Sequence, residues 1–350
     1  MKLVKNTSVP SALGWVDWLS EEKLILWHGD LCGFTVLDSV GFTEDWTFHE
    51  SGVLLDRHIK VDGDRFVYAD EGVLGVCDFK KKSCERFSCL EEFDFLVHVV
   101  DNVAILDGED GVAVVVELDT GKTQRFSGAN VICPCKGYGS KIIGYCETSD
   151  GEYPHYLWDF EKDGVFTLTD DQKKISLPSS WQDIRVWLLG EAGFAMFDAE
   201  GVSVYFFDWE GQFVGEITLG GDLDDSFQLF AVVPWRAEGE LGAIIVAVDG
   251  VDRKQQLFTV KSMRIPKVEV NVTVNRLYIP EGGYGICGAK LIWVGESENG
   301  GKICSLDLQD GTKTVIFEGE PIFWLTCSQD GVFFGDRSHG DGDVSFLAIT

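Results

Sequence analysis

Basic residues are scarce in this chain of 350 residues. Lysine and arginine total 29 against 58 aspartates and glutamates, a formal net charge of −29. Nucleic acid and anionic membrane surfaces are polyanions and would be repelled. Both are therefore excluded as expected partners, and a protein with a basic surface is favoured. The short basic run Lys80-Lys81-Lys82 is flanked by Asp78 and Glu85 and reads as a solvated turn tip. Long apolar runs are missing as well. None approaches the roughly 18 residues that span a bilayer, and the opening MKLVKNTSVPSALGW has no apolar stretch of signal-peptide type. Proline is rare, at 8. No segment longer than about ten residues has helical periodicity; a short helical turn is expected around Asp222 to Asp225.

Catalytic and metal signatures are also lacking. The six histidines, His28, His49, His58, His98, His155 and His339, never approach one another in sequence. There is no His-x-x-x-His or Cys-x-x-Cys pair, and Cys133-Pro-Cys135 has the wrong spacing for a zinc knuckle. No Gly-x-Ser-x-Gly, phosphate loop or dinucleotide fingerprint occurs. Neither a metal nor a cofactor is expected. The 10 cysteines mostly sit inside apolar runs, as in GVCDF (Cys77), IGYCE (Cys146) and IFWLTCS (Cys327). They read as small core residues in a reducing compartment, which places the chain in the cytoplasm.

What is present is aromatic, glycine-rich and repetitive. The chain has 40 Gly, 24 Phe and 11 Trp, and apolar residues make up 45%. Apolar runs of four to eight residues, rich in Val, Ile, Phe, Tyr and Trp, alternate with Gly, Asp, Glu and Asn. That is strand and turn punctuation. One form recurs: an apolar run ending in Asp, then a turn. It reads FTVLDSVG, LGVCDFKKKS, VVELDTGK, HYLWDFEKDG, VYFFDWEGQ and ICSLDLQDGT, with aspartates at 38, 78, 119, 159, 208 and 307. QQLFTVKS fills the long gap, and DVSFLAIT ends the chain. A partner series precedes each member: KLILWHGD, RFVYADEG, VAILDGEDG, KIIGYCETSDG, GFAMFDAEG, AIIVAVDGVD, KLIWVGESENG and GVFFGDRSHGDGD. One strand precedes each hairpin and, in most repeats, another follows, as in TQRFSG, VFTLTDD, FVGEITL and KTVIFEG.

Four short strands every 40 to 50 residues is the period of a propeller blade. In this respect the chain resembles the WD-repeat and related β-propeller superfamily over essentially its whole length. The Gly-His element of a WD repeat is missing and Trp precedes Asp in one repeat, so the resemblance is architectural. The expectation is all-β, a single domain over 1–350, with eight blades of four antiparallel strands, or seven if one repeat is degenerate. The last repeat stops after its third strand, while KLVKN (Lys2 to Asn6) precedes the first. That strand is expected to pair with the C-terminal blade and so cover its edge.

The acids at the ends of the second strands are the candidate binding residues: Asp30, Asp70, Asp107, Asp150, Asp198, Asp249, Glu296 and Asp336. In a propeller these loops share one face, so their fields would add and favour a basic partner. Asp and Gly are also what tight turns require whatever the function. The leading expectation is a non-enzymatic interaction module that holds a basic or flexible protein, in an adaptor, chaperone or immunity-type role. The alternative is a hydrolase at the channel mouth that uses Asp56 and His58, with His98 near them. Trp187 and Trp235 are expected to pack inside rather than to anchor an interface.

Overall fold

The computed structural model describes residues 2–8, 16–20, 23–28, 33–38, 44–49, 59–62, 64–70, 72–92, 94–128, 130–149, 151–163, 166–169, 172–181, 183–223, 226–237, 240–250, 254–263, 266–275, 284–297, 300–319, 322–327, 331–336 and 343–348. It is an all-β propeller whose blades are four-stranded antiparallel sheets. Among the described residues eight such sheets follow in chain order, numbered here 1 to 8: residues 16–49, 59–87, 95–126, 133–174, 184–218, 227–275, 284–319 and 322–348. In sheets 1 to 7 the strands lie in sequence order. Sheet 8 has three strands of its own, and Lys2–Ser8 supplies the fourth, pairing antiparallel with Asp343–Ala348 from Lys2 opposite Ala348 to Ser8 opposite Asp343. The edge that the C-terminal strand would otherwise leave open is thereby covered, as the orphan N-terminal strand predicts.

The residues group into two compact units. One comprises Met1–His49, Ser180–Asp208 and Phe213–Thr350, with sheets 1 and 5 to 8; the other comprises Glu50–Ser179 and Trp209–Gln212, with sheets 2 to 4. Among the described residues no helix is long and apolar enough to cross a membrane.

The apolar runs are continuous because the middle strands are buried on both faces. In sheet 3, Ala104, Leu106, Val114 and Val116 pack with Val67 and Leu74 of sheet 2. The alternate residues Ile105 and Ala113 pack with Ile132, Ile142, Trp158 and Phe166 of the sheet 4 segment. Period-two geometry sends neighbours along one strand into two different cores. In the other unit the same pattern joins sheets 5 and 6 through Phe197, Phe206, Val232 and Phe258, and sheets 6 and 7 through Trp235, Ile244 and Leu291. Trp235 is buried and donates its indole N–H to the Val260 carbonyl at 3.1 Å, and Trp187 packs against both clusters. Both are packing residues, as expected.

The recurrent aspartate has a structural cause. The residue that opens the second strand lies directly opposite the Asp that closes the third: Lys23 opposite Asp38, Arg65 opposite Asp78, Lys141 opposite Asp159 and Lys290 opposite Asp307. The residue after that Asp then donates its N–H to the carbonyl just before the second strand. These bonds are Phe79 to Asp64 at 2.9 Å, Phe160 to Ser140 at 2.7 Å and Leu308 to Ala289 at 2.8 Å. The Asp side chain also organises the following turn. Asp78 accepts the Lys81 N–H at 2.8 Å and Asp307 the Gln309 N–H at 2.9 Å. Burial works to raise the Asp159 carboxyl, but hydrogen bonds from Lys162, Ser140 and Lys141 outweigh it and hold it at about 2. Lys80 and Lys81 form an exposed tip paired with Asp64 and Asp78.

Three local features differ from the sequence reading. VFTLTDD does not supply the outer strand of sheet 4, which is the two-residue strand Lys173–Lys174. Thr167 bridges Val131 instead, because Phe166 is fully buried against Phe126, Trp158 and Phe160. A helical turn is expected at Asp222 to Asp225; a short 3-10 turn occupies Gly220–Asp222, and Asp224 and Asp225 lie outside the described residues. Cys77 and Cys84, directly opposite on adjacent strands with Cα atoms 4.1 Å apart, are joined in a disulfide; the sequence alone marked Cys77 only as a core residue.

Candidate functional site

Four acids of the series share one register position. Asp107 lies opposite Phe95, Asp198 opposite Ile184, Asp249 opposite Phe227 and Asp336 opposite Ile322. Each of these acids sits at the end of a second strand, or one residue before it for Asp107, level with the start of the first strand of its own sheet. Asp70 closes Arg65–Asp70, and Glu296 lies one residue before the end of Lys290–Ser297. Asp30 and Asp150 lie outside the described residues, as do Asp56 and His58.

The side chains at this position do different things. Asp198 is buried; its carboxylate accepts the Glu200 N–H at 3.3 Å and its carbonyl accepts the Gly201 N–H at 2.9 Å. Asp249 is buried and accepts the Ser226 hydroxyl at 3.3 Å. These two are engaged in local turns. Asp107 has no hydrogen-bond partner among the described residues, and desolvation alone pushes its carboxyl up to about 6.

Beside Asp107 the chain builds a cavity of about 690 Å³ within the unit formed by sheets 2 to 4. Its walls come from four places: the turn after the second strand of sheet 3 (Asp110, Gly111), the linker to sheet 4 (Gly128, Val131), the facing strand ends of sheet 4 (Cys133, Tyr145), and the next loop (Glu147, Thr148, Ser149, Tyr153). Each piece is held in place. Asp110 and Gly111 adopt left-handed φ values of 58° and 73°, which Gly accepts freely and Asp tolerates. The loop is tied across its base by Cys146 N–H to the Pro154 carbonyl at 3.2 Å and across its tip by Thr148 N–H to the Glu152 carbonyl at 2.9 Å. The Tyr153 ring meets Tyr145 edge-on at 5.9 Å, and its hydroxyl donates to Glu147 at 3.4 Å. Tyr153 is 49% exposed.

Behind these rings lies His155, 6.0 Å from Tyr145 between ring centres. It is buried, its Nδ1 has no partner among the described residues, and desolvation lowers it to about 4. It is neutral at physiological pH. Burial pushes Cys133 up to about 11, with the Asp107 charge adding, and pushes Tyr145 up to about 12. Burial likewise raises Cys89, Cys135, Cys146, Cys304 and Cys327. These thiols stay protonated and make poor nucleophiles at neutral pH. His98 packs on Gly137 and its Nε2 is 2.8 Å from the Gly139 carbonyl. Among the described residues no group of three His, Cys, Asp or Glu could hold a metal ion.

The cavity therefore combines two phenol rings and two carboxylates, Asp110 and Glu147, on a rigid frame. Sequence reasoning reached Asp107 and Asp110 through the turn signal. It missed Tyr145, Glu147 and Tyr153, whose convergence depends on how sheets 3 and 4 pack.

Fold and site together define a β-propeller whose loop edge carries an acidic, aromatic-walled cavity. Among solved structures the chain is similar to the WD40 domain of SCAP from fission yeast (9% identity, TM-score 0.57, covering 98% of this chain and 94% of that one). It is also similar to the computationally designed protein Ika8 (14%, 0.58, 98% of each chain) and to the dihydro-heme d1 dehydrogenase NirN (11%, 0.60, 95% and 73%). At these identities the likeness shows the fold alone. No protein-family profile and no curated protein sequence matches the chain.

Proposed function

We propose that the protein is a non-catalytic interaction module whose second-to-third-strand loops bind a basic segment of a partner protein. The observation that carries this reading is the cavity beside Asp107, where Asp110 and Glu147 flank two tyrosines at the very edge where the acid series recurs. The net charge of −29 supports a cationic protein over a polyanionic partner such as nucleic acid or membrane. Propellers host both binding and catalysis. Binding is favoured here because the thiols of Cys89, Cys133, Cys135, Cys146, Cys304 and Cys327 are raised by burial and His98 is already engaged. An adaptor, chaperone or immunity-type role fits a chain rich in acidic loops. In this reading each of the eight four-stranded sheets counts as one blade, against seven if one stands apart; image averaging of the purified protein counts them.

The test is affinity purification at low salt with mass spectrometry, followed by rebinding of the captured partner. Neutralising Asp30, Asp70, Glu296 and Asp336 together should weaken that partner roughly tenfold and flatten its salt dependence. A partner that binds the quadruple variant like wild type, or an empty capture, removes the reading. Cytoplasmic residence belongs to the same proposal. Protein alkylated at lysis should present all ten thiols if the compartment is reducing, and two fewer if the Cys77–Cys84 bond is closed in the cell.

A further inference from the structure

The acidic loops account for attraction at a distance; they do not account for a cavity with two tyrosine walls. We propose that the cavity between sheets 3 and 4 takes one cationic side chain, a lysine or arginine, from the basic partner. The inference rests on the reading above and assigns it a specific pocket.

Three features converge on that ligand. First, the walls carry π faces and negative charge together: Tyr145 and Tyr153 meet edge-on at 5.9 Å, and Asp110 and Glu147 line the same space. Aromatic faces attract cations through the ring quadrupole, more strongly where water is excluded. A carboxylate adds a charge-assisted hydrogen bond. Second, no described lysine or arginine lines the cavity. Other acids of this unit already have cations: Arg125 takes Asp94 and Glu91, while Lys141 and Lys162 take Asp159. Asp110 and Glu147 meet no cation among the described residues. Third, the pocket is prebuilt. The hydrogen bonds across the 146–154 loop and the left-handed turn at Asp110 and Gly111 hold the walls without a ligand, so little ordering cost remains at binding. An anionic ligand would face two carboxylates. A purely apolar ligand would leave both carboxylates without a compensating charge once water is expelled.

The probes are a fluorescein-labelled lysine–glycine repeat peptide, its arginine counterpart and its norleucine counterpart, read by fluorescence anisotropy at low salt. Wild type should bind a cationic peptide and not the norleucine one, and the tighter of the two names the cation. Tyr153→Leu keeps the apolar bulk but removes the ring, and should weaken binding roughly fivefold. The double variant Asp110→Asn, Glu147→Gln should do the same or more, while Tyr153→Phe keeps wild-type affinity. Unchanged thermal midpoints show that the variants are folded. Wild-type affinity in Tyr153→Leu overturns the pocket. If the Asp30, Asp70, Glu296 and Asp336 variant loses the peptide while the pocket variants keep it, the pocket falls and the acidic face stands. Failure of wild type to bind either cationic peptide overturns the inference outright, whatever the partner capture returns.

Discussion

Asp107 and Asp198 hold the same place in two sheets of different units and live in opposite surroundings. Asp198 ends its second strand and Asp107 lies one residue before the end of its own, and both are level with the start of their sheet's first strand. Asp198 spends its carboxylate on the backbone of its own turn. Asp107 has desolvation and no compensating hydrogen bond among the described residues, and a cavity opens beside it. The lesson is that a repeated acid can be turn chemistry in one repeat and a site element in another. Partners, not position, separate the two. The same contrast runs through the ion pairs. Asp94 of sheet 3 is buried, paired with Arg125 through both carboxylate oxygens and hydrogen-bonded by the Glu91 N–H at 2.7 Å. Asp183 and Arg185 of sheet 5 form their pair in solvent.

The largest expected effect comes from breaking one unit and leaving the other. Removing residues 1–8 strips sheet 8 of its fourth strand. The melting temperature should fall by roughly 10 °C or more, at about 2–4 °C per kcal/mol. Amide exchange should accelerate in Asp343–Ala348 and stay slow in sheets 2 to 4. An unchanged melting curve removes the closure argument. Next, Arg125→Met leaves a buried carboxylate without its cation and should cost about 3 kcal/mol in urea unfolding. Arg185→Met should cost less than about 0.5 kcal/mol. Equal costs would erase the distinction between the two pairs.

His155 sharpens the comparison through pH. Its folded-state value, lowered to about 4, lies below the unfolded value near 6.5. The unfolded chain therefore takes the proton first, and stability falls as pH drops through that window, by about 3 kcal/mol in full. His155→Leu should flatten that slope. A smaller pH effect has the opposite sign. Asp107 is raised to about 6, so the folded state takes its proton first and loses stability as pH climbs from about 4 to 6. Asp107→Asn should therefore stabilise the protein at pH 7.5 by about 1 kcal/mol, after allowance for partial exposure, and not at all below pH 4. Asp198→Asn should give no such gain. Stabilisation by both substitutions, or by neither, breaks the contrast from which these predictions start.

Much of the architecture was legible because its causes are local and repeated. Period-two burial makes apolar runs, and tight turns demand Asp and Gly. The Lys or Arg that opens KLILWHGD, RFVYADEG, KIIGYCETSDG and KLIWVGESENG was visible too. Its meaning, a register opposite the next Asp, needed the pairing of strands. Less was legible where one strand's fate depends on a neighbour. VFTLTDD has the letters of an outer strand, yet Phe166 enters a core shared with Trp158 and Phe126 and draws the segment away. The bulges in the first strands left no mark either. Cys135 in sheet 4 and Phe230 in sheet 6 stand without a partner in the pairing with the second strand, in runs that read as uninterrupted.

By itself the sequence determined a repeated four-stranded unit, its closing N-terminal strand, and an acid recurring after or within each second apolar run. These follow from backbone geometry acting over a few residues at a time. Tertiary structure alone decided which acids are occupied and which stand beside open space. Desolvation and hydrogen-bond partners depend on groups brought together from distant parts of the chain. Tyr145 ends a strand of sheet 4, Glu147 and Tyr153 come from the loop after it, and Asp110 comes from a turn of sheet 3; only packing makes one cavity of them.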